Sequence, residues 1–204
     1  LPISGGISSA FSITTSGNTG TQNFTILAAG TYSVTESTLP AGWDFKSLVC
    51  DDGSSAEPST VSGQTATIEL EAGETVTCTY TNTKRGQVIV KKVMQGGTDT
   101  FSFTGTPNGS ISADNGTISA DVQPGQFTSV EGAKAGWDLS SIQCDDGNST
   151  GNVGTRTATF NVEPGEVVTC TFTNAKHGTL VVYKQVVNDN GGSAVASAWT
   201  MNVS

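Results

Sequence analysis

Val168-Thr-Cys170-Thr-Phe172-Thr-Asn174 alternates at every second position. Val168, Cys170, Phe172 and Asn174 share one face, and threonines line the other. Side chains of a β-strand point alternately to opposite faces, so the stretch predicts a half-buried strand. It also has a twin. Gly73-Glu-Thr-Val-Thr-Cys78-Thr-Tyr-Thr-Asn82-Thr-Lys84 matches Gly165-Glu-Val-Val-Thr-Cys170-Thr-Phe-Thr-Asn174-Ala-Lys176. Working outward, Thr31–Glu36 matches Gln126–Glu131 and Ala41-Gly-Trp43-Asp44 matches Ala135-Gly-Trp137-Asp138. Val49-Cys50-Asp-Asp-Gly53 matches Gln143-Cys144-Asp-Asp-Gly147, and Thr65–Leu70 matches Thr157–Val162. Equivalent positions such as Cys78 and Cys170, or Glu36 and Glu131, give a period of about 92–95 residues, which is domain-sized rather than a short solenoid coil.

Composition agrees with an all-β chain. Of 204 residues, 35% are hydrophobic, only 13% are charged and 25 are glycine. Gly, Pro, Asp and Asn clusters such as Thr106-Pro-Asn-Gly109, Asn115-Gly116 and Pro164-Gly165 supply turns between the alternating runs. About seven short strands per repeat predict tandem Ig-like Greek-key β-sandwiches, with Trp43 and Trp137 in the core or capping its end. Each repeat holds one cysteine pair, Cys50 with Cys78 and Cys144 with Cys170, which predicts a disulfide within each unit. Oxidised cysteine implies an extracellular or periplasmic setting, and an extracellular or cell-surface location is expected. The formal charge of −9 argues against nucleic acid and anionic membrane as partners, and no apolar run is long enough for membrane insertion. Leu1-Pro-Ile-Ser-Gly5 has neither the basic start nor the apolar core of a signal peptide, so a mature or excised chain is expected.

The repeat divides the chain into 1–83, a sandwich unit without its first strand; 84–176, a complete unit; and 177–204, the opening of a further one. Asn82-Thr-Lys-Arg-Gly86 joins the first two with no flexible spacer, which predicts semi-rigid serial units.

Three kinds of polar residue fall on apolar faces. Lys92 shares a face with Val88 and Val90, and Lys184 shares one with Leu180 and Val182. Glu131 follows Phe127, Glu36 follows Tyr32 and Val34, and Asn174 and Asn82 lie on the cysteine face of their strands. Buried charge is costly unless paired or neutralised. The opening Gly-x-x-x-x-x-Lys strands, Tyr32-Ser-Val-Thr-Glu36-Ser-Thr-Leu-Pro-Ala-Gly-Trp43 and the closing Tyr80-Thr-Asn82-Thr resemble the Cna-B/SpaA-type prealbumin-like fold domains of bacterial surface pilins and adhesins. The resemblance covers essentially the whole chain. It implies a spontaneous Lys–Asn isopeptide bond assisted by Glu: Lys92, Glu131 and Asn174 in the second unit, with Glu36 and Asn82 awaiting a lysine in the first. Burial favours the neutral amine and the protonated acid, which is the chemistry such a bond needs. A hydrogen-bonded Lys–Glu pair without a covalent bond is the other reading.

The best match for the first unit's missing strand is Gly178-Thr-Leu-Val-Val-Tyr-Lys184, followed by Trp199-Thr-Met-Asn-Val203. The tail would complete a neighbouring copy by strand donation, mark a cut in a longer tandem-repeat protein, or fold back in cis. Donation gives a head-to-tail contact that propagates. The expected function is a structural subunit of an extracellular, pilus-like filament, with copies of itself as partners. The alternative is a ligand-binding section of a giant surface adhesin.

No external-substrate enzyme is expected: His177 is the one histidine, and no nucleophile elbow or phosphate loop occurs. No cofactor is expected beyond a possible Ca²⁺ at Asp51, Asp52, Asp145 and Asp146, where acidic loops are set against Asx-rich turns as the alternative. Sequons at Asn23, Asn108, Asn115, Asn148 and Asn202 are candidate glycosylation sites.

Overall fold

The computed structural model describes residues 10–25 and 27–203. In the first repeat, β1 (Gly30–Thr35), β4 (Thr65–Leu70) and β3 (Thr60–Ser62) form one sheet in the order β1-β4-β3. A second sheet holds only β2 (Trp43–Asp51) and β5 (Thr77–Lys84).

The second repeat builds both sheets further. It comprises β6 (Gly86–Gln95), β7 (Phe101–Gly105), β8 (Gly109–Ile111), β9 (Thr117–Val122), β10 (Gly125–Glu131), β11 (Trp137–Cys144), β12 (Thr150–Asn152), β13 (Thr157–Val162) and β14 (Val167–Lys176). The sheets run β12-β13-β10-β7-β8 and β11-β14-β6-β9. All pairings are antiparallel except β14 with β6, which is parallel. The unit therefore has two strands more than the seven expected. The three-residue strands β8 and β12, Gly-Ser-Ile and Thr-Gly-Asn, sit at sheet edges and are too short to show a period.

Burial separates two units of like sequence. Alternation along β6 leaves Val88, Val90, Lys92 and Met94 buried, and along β14 it buries Val168, Cys170, Phe172 and Asn174. Phe103 on β7 meets Phe172 edge to face across the two sheets, with centroids 5.2 Å apart. In the first unit only Leu48 and Ala66 are buried hydrophobics among the described residues. Tyr80 and Cys78, equivalent to Phe172 and Cys170, are half-buried. The cause is topological. Among the described residues, the two-stranded sheet has no partners equivalent to β6 and β9, so β5 has an open edge, and the three-stranded sheet has none equivalent to β7 and β8.

Both predicted disulfides form, Cys50–Cys78 and Cys144–Cys170, between directly opposed residues of antiparallel strands. The expected opening strand at 178–184 is not formed here. Residues 177–203 join no sheet and contain one short 3-10 turn, Ala196–Ala198. A strand needs a hydrogen-bonding neighbour, and this segment has none among the described residues; Leu180, Val181, Val182 and Tyr183 are all exposed. Trp137 lies in the core as expected, whereas Trp43 does not.

Candidate functional site: a buried lysine, glutamate and asparagine

Lys92, Glu131 and Asn174 converge inside the second unit, all fully or almost fully buried. The strands make this meeting. Lys92 lies between Val90 and Met94 on the buried face of β6, Asn174 lies near the end of the parallel neighbour β14, and Glu131 closes β10 in the facing sheet. Lys92 Nζ donates to Asn174 Oδ1 at 2.8 Å and to the Phe172 carbonyl at 3.1 Å. It lies 3.5 Å from Glu131 Oε1 and 4.4 Å from the centroid of the Phe101 ring. Asn174 Nδ2 donates to Glu131 Oε2 at 3.2 Å. Burial holds Lys92 below the ordinary lysine range, against the pull of Glu131, which favours its charged form. A lysine nitrogen is thus set beside an amide carbonyl, with a carboxylate against the amide nitrogen.

The first unit holds the same arrangement less its lysine. Asn82 Nδ2 donates to Glu36 Oε1 at 2.6 Å. Asn82 Oδ1 and Glu36 Oε2 are buried atoms with no hydrogen-bond partner among the described residues. In the second unit the atom matching Asn82 Oδ1 is the one that accepts from Lys92.

A family model for the SpaA-type prealbumin-like fold domain matches residues 3–84 and again 88–176. The chain belongs to that family. Two solved structures are similar to parts of this prealbumin-like chain. The Bacillus anthracis TIE protein is 18% identical, over 74% of this chain and 26% of its own, with a TM-score of 0.30. A variant of the major pilin from Streptococcus pyogenes is 12% identical, over 76% of this chain and 73% of its own, also with a TM-score of 0.30. The chain thus spans about a quarter of the first of these. No curated protein matches it.

In the prealbumin-like chain the tail brings Lys184 to an aromatic ring of its own: Lys184 Nζ lies 4.4 Å from the Trp199 centroid. Lys184 does not meet Glu36 or Asn82 here by any hydrogen bond or ion pair among the described residues. The acidic loops serve as local caps. Asp51 accepts from Gly53 N and Asp52 from Ser59 N, while Asp145 accepts from Thr169 N and Asp146 from both Ser149 N and Ser149 Oγ. Among the described residues no group of three or more His, Cys, Asp or Glu is placed to hold a metal ion. The sequon residues Asn23, Asn108, Asn115, Asn148 and Asn202 are all exposed.

Sequence reasoning missed one member of the buried cluster. Arg156, just before β13, places its guanidinium 2.6 Å from Glu131 Oε2. The signal was present in the repeat itself, where Arg156-Thr-Ala-Thr replaces Gln64-Thr-Ala-Thr.

Proposed function

We propose that the chain is a structural subunit of an extracellular, pilus-like fibre. The tail of one copy completes the first unit of the next, and Lys184 joins Asn82 through an isopeptide bond. Lys92 and Asn174 form the corresponding bond inside the second unit. The observation that carries this reading is the half-site at Glu36 and Asn82, where two buried oxygens face the position that a lysine fills in the second unit.

Other features support it. Family membership favours a surface protein of pilin or adhesin type, and two disulfides favour an extracellular or cell-surface setting. The junction inside the chain serves as a template for the junction between copies. There, β6 runs parallel to β14 with Lys92 opposite Phe172. By the repeat, the donated strand runs parallel to β5 with Lys184 opposite Tyr80. Lys184 Nζ lies 4.4 Å from the Trp199 ring centroid, the same distance as Lys92 Nζ from that of Phe101. This supports reading the tail as a source of counterparts to both β6 and β7. Main-chain hydrogen bonds along an open sheet edge supply affinity, and alternate side chains supply register. The contact is head to tail and does not close, so it extends into a fibre. The chemistry of the cluster is spent on the chain itself, and the subunit acts on no outside substrate.

Denaturing electrophoresis of the concentrated full chain, boiled with reductant, tests this. A ladder of multimers is expected for the native sequence, and none for Lys184→Ala or Asn82→Ala. A monomer band alone from the native sequence overturns covalent linkage between copies. Filaments seen by electron microscopy in that sample would leave strand donation standing without the bond; their absence would remove both. A tail folded back in cis would show a Lys184–Asn82 amide within the monomer band, which peptide mapping tells apart from the Lys92–Asn174 amide.

A further inference from the structure

Arg156 and Gln64 hold the same backbone station in the two units. The Arg156 carbonyl accepts from Glu131 N at 2.9 Å, and the Gln64 carbonyl accepts from Glu36 N at 3.0 Å. Their side chains differ in charge. Arg156 grips Glu131 twice, at its main-chain oxygen through Nε (3.2 Å) and at Oε2 through a terminal nitrogen (2.6 Å). Gln64 Nε2 is buried and has no hydrogen-bond partner among the described residues.

The oxygen that Arg156 holds matters for the chemistry. Glu131 Oε2 also accepts from Asn174 Nδ2, the nitrogen that has to depart. In the bond-forming step the neutral Lys92 amine attacks the Asn174 side-chain carbonyl carbon. The Nζ–Cγ bond forms, the Cγ–Nδ2 bond breaks, one amine proton passes by way of the carboxyl group to Nδ2, and ammonia leaves. A carboxylate in a short ion pair with guanidinium accepts hydrogen bonds and has no proton of its own to give. Arg156 has an opposing effect, since it disfavours charge on Lys92, but that is smaller than the effect of burial on the same lysine. The direct contact of Arg156 is with Glu131, at 2.6 Å.

We propose that the residue at this station sets the reactivity of each site: Arg156 slows amide formation in the second unit, and Gln64 leaves the first-unit site, completed by Lys184 of another copy, as the fast one. Cross-linking between copies then outpaces cross-linking within the chain. Arg156 and Gln64 are positioning residues that act through Glu131 and Glu36. The inference rests on the isopeptide reading of both sites.

The test follows ammonia loss by mass spectrometry of the denatured full chain, with peptide mapping to assign each bond, alongside the multimer ladder. Arg156→Gln is expected to speed the Lys92–Asn174 bond by at least about tenfold, a part of the roughly 10²–10⁴-fold that a positioned proton carrier contributes. Arg156→Lys, which keeps the charge, is expected to stay at the native rate; a purely structural role for the arginine would not separate these two variants. Gln64→Arg is expected to slow the ladder by a similar factor, and this reciprocal change stands if Arg156→Gln does not fold. Bonds that form at rates indifferent to these exchanges overturn the inference while leaving the isopeptide reading intact. No ammonia loss and no ladder in any of the chains overturns both.

Discussion

Phe101 meets Trp137 edge to face, with ring centroids 5.3 Å apart and planes at 83°. That contact leaves Trp137 only 4% exposed. Trp43, its equivalent in the first unit, is 41% exposed, and Trp199, the tail's counterpart of Phe101, is 43% exposed. In the proposed fibre, the two half-exposed tryptophans would be the halves of one aromatic pair. Assembly is expected to bury both, since aromatic pairs add stability beyond the area they cover. Tryptophan emission should therefore shift to shorter wavelength as fibres form, and the shift should shrink in Trp199→Ala. Identical spectra for dilute monomer and assembled material would rule out this seating of the tail.

Gly178 separates folding from assembly. A Cβ atom at this position meets nothing within 4 Å among the described residues. At the equivalent Gly86, a Cβ atom would collide with Val162 Cγ1 and approach the Glu166 carbonyl at 2.8 Å. In the proposed fibre, the repeat would turn those neighbours into Leu70 and Glu74 of the accepting copy. Gly178→Val is expected to change monomer stability by less than about 0.5 kcal/mol, as surface substitutions usually do. It is expected to abolish or strongly slow fibre growth. Urea unfolding and light scattering on the same preparation check both halves; growth at the native rate contradicts the transposed register.

Lys92 gives the second unit a pH signature when no amide can form. In Asn174→Ala the folded lysine, held low by burial, gives up its proton at lower pH than the unfolded one, which titrates near about 10.4. Between those two values the unfolded chain binds more protons, so stability rises with pH in the window below about 10.4. Burial pushes the Tyr80 phenol up, which has the opposite sign and removes stability above its ordinary value. Comparing Asn174→Ala with Asn174→Ala/Lys92→Met cancels the tyrosine. The urea midpoint of the first should gain on that of the second as pH rises; parallel curves would mean that Lys92 is not held low.

Much of the cluster was legible as a strand pattern. Period-2 alternation put Lys92 on the face of Val88 and Val90, and Asn174 on the face of Cys170 and Phe172, and those faces are the buried ones. The paired cysteines were equally plain, because each fell in the same place in each repeat. Arg156 was hidden because it lies between strands, where no period applies. It reaches Glu131 from a left-handed backbone conformation, φ 56°. The short edge strands β8 and β12 were hidden because three residues, Gly-Ser-Ile and Thr-Gly-Asn, are too few to carry a pattern.

The all-β class, the repeat, the disulfide pairs and which residues share a strand face follow from the amino-acid order alone. These are local or periodic properties, written in side-chain alternation and in matching positions. Only the tertiary structure decided that Lys92 Nζ meets the Asn174 carbonyl oxygen, that Arg156 claims the Glu131 oxygen facing the amide nitrogen, and that Trp43 stays exposed while Trp137 is buried. Those depend on which strands stand beside one another across two sheets. Like sequences in the two units are buried differently because burial is set by neighbours, and the first unit has fewer of them.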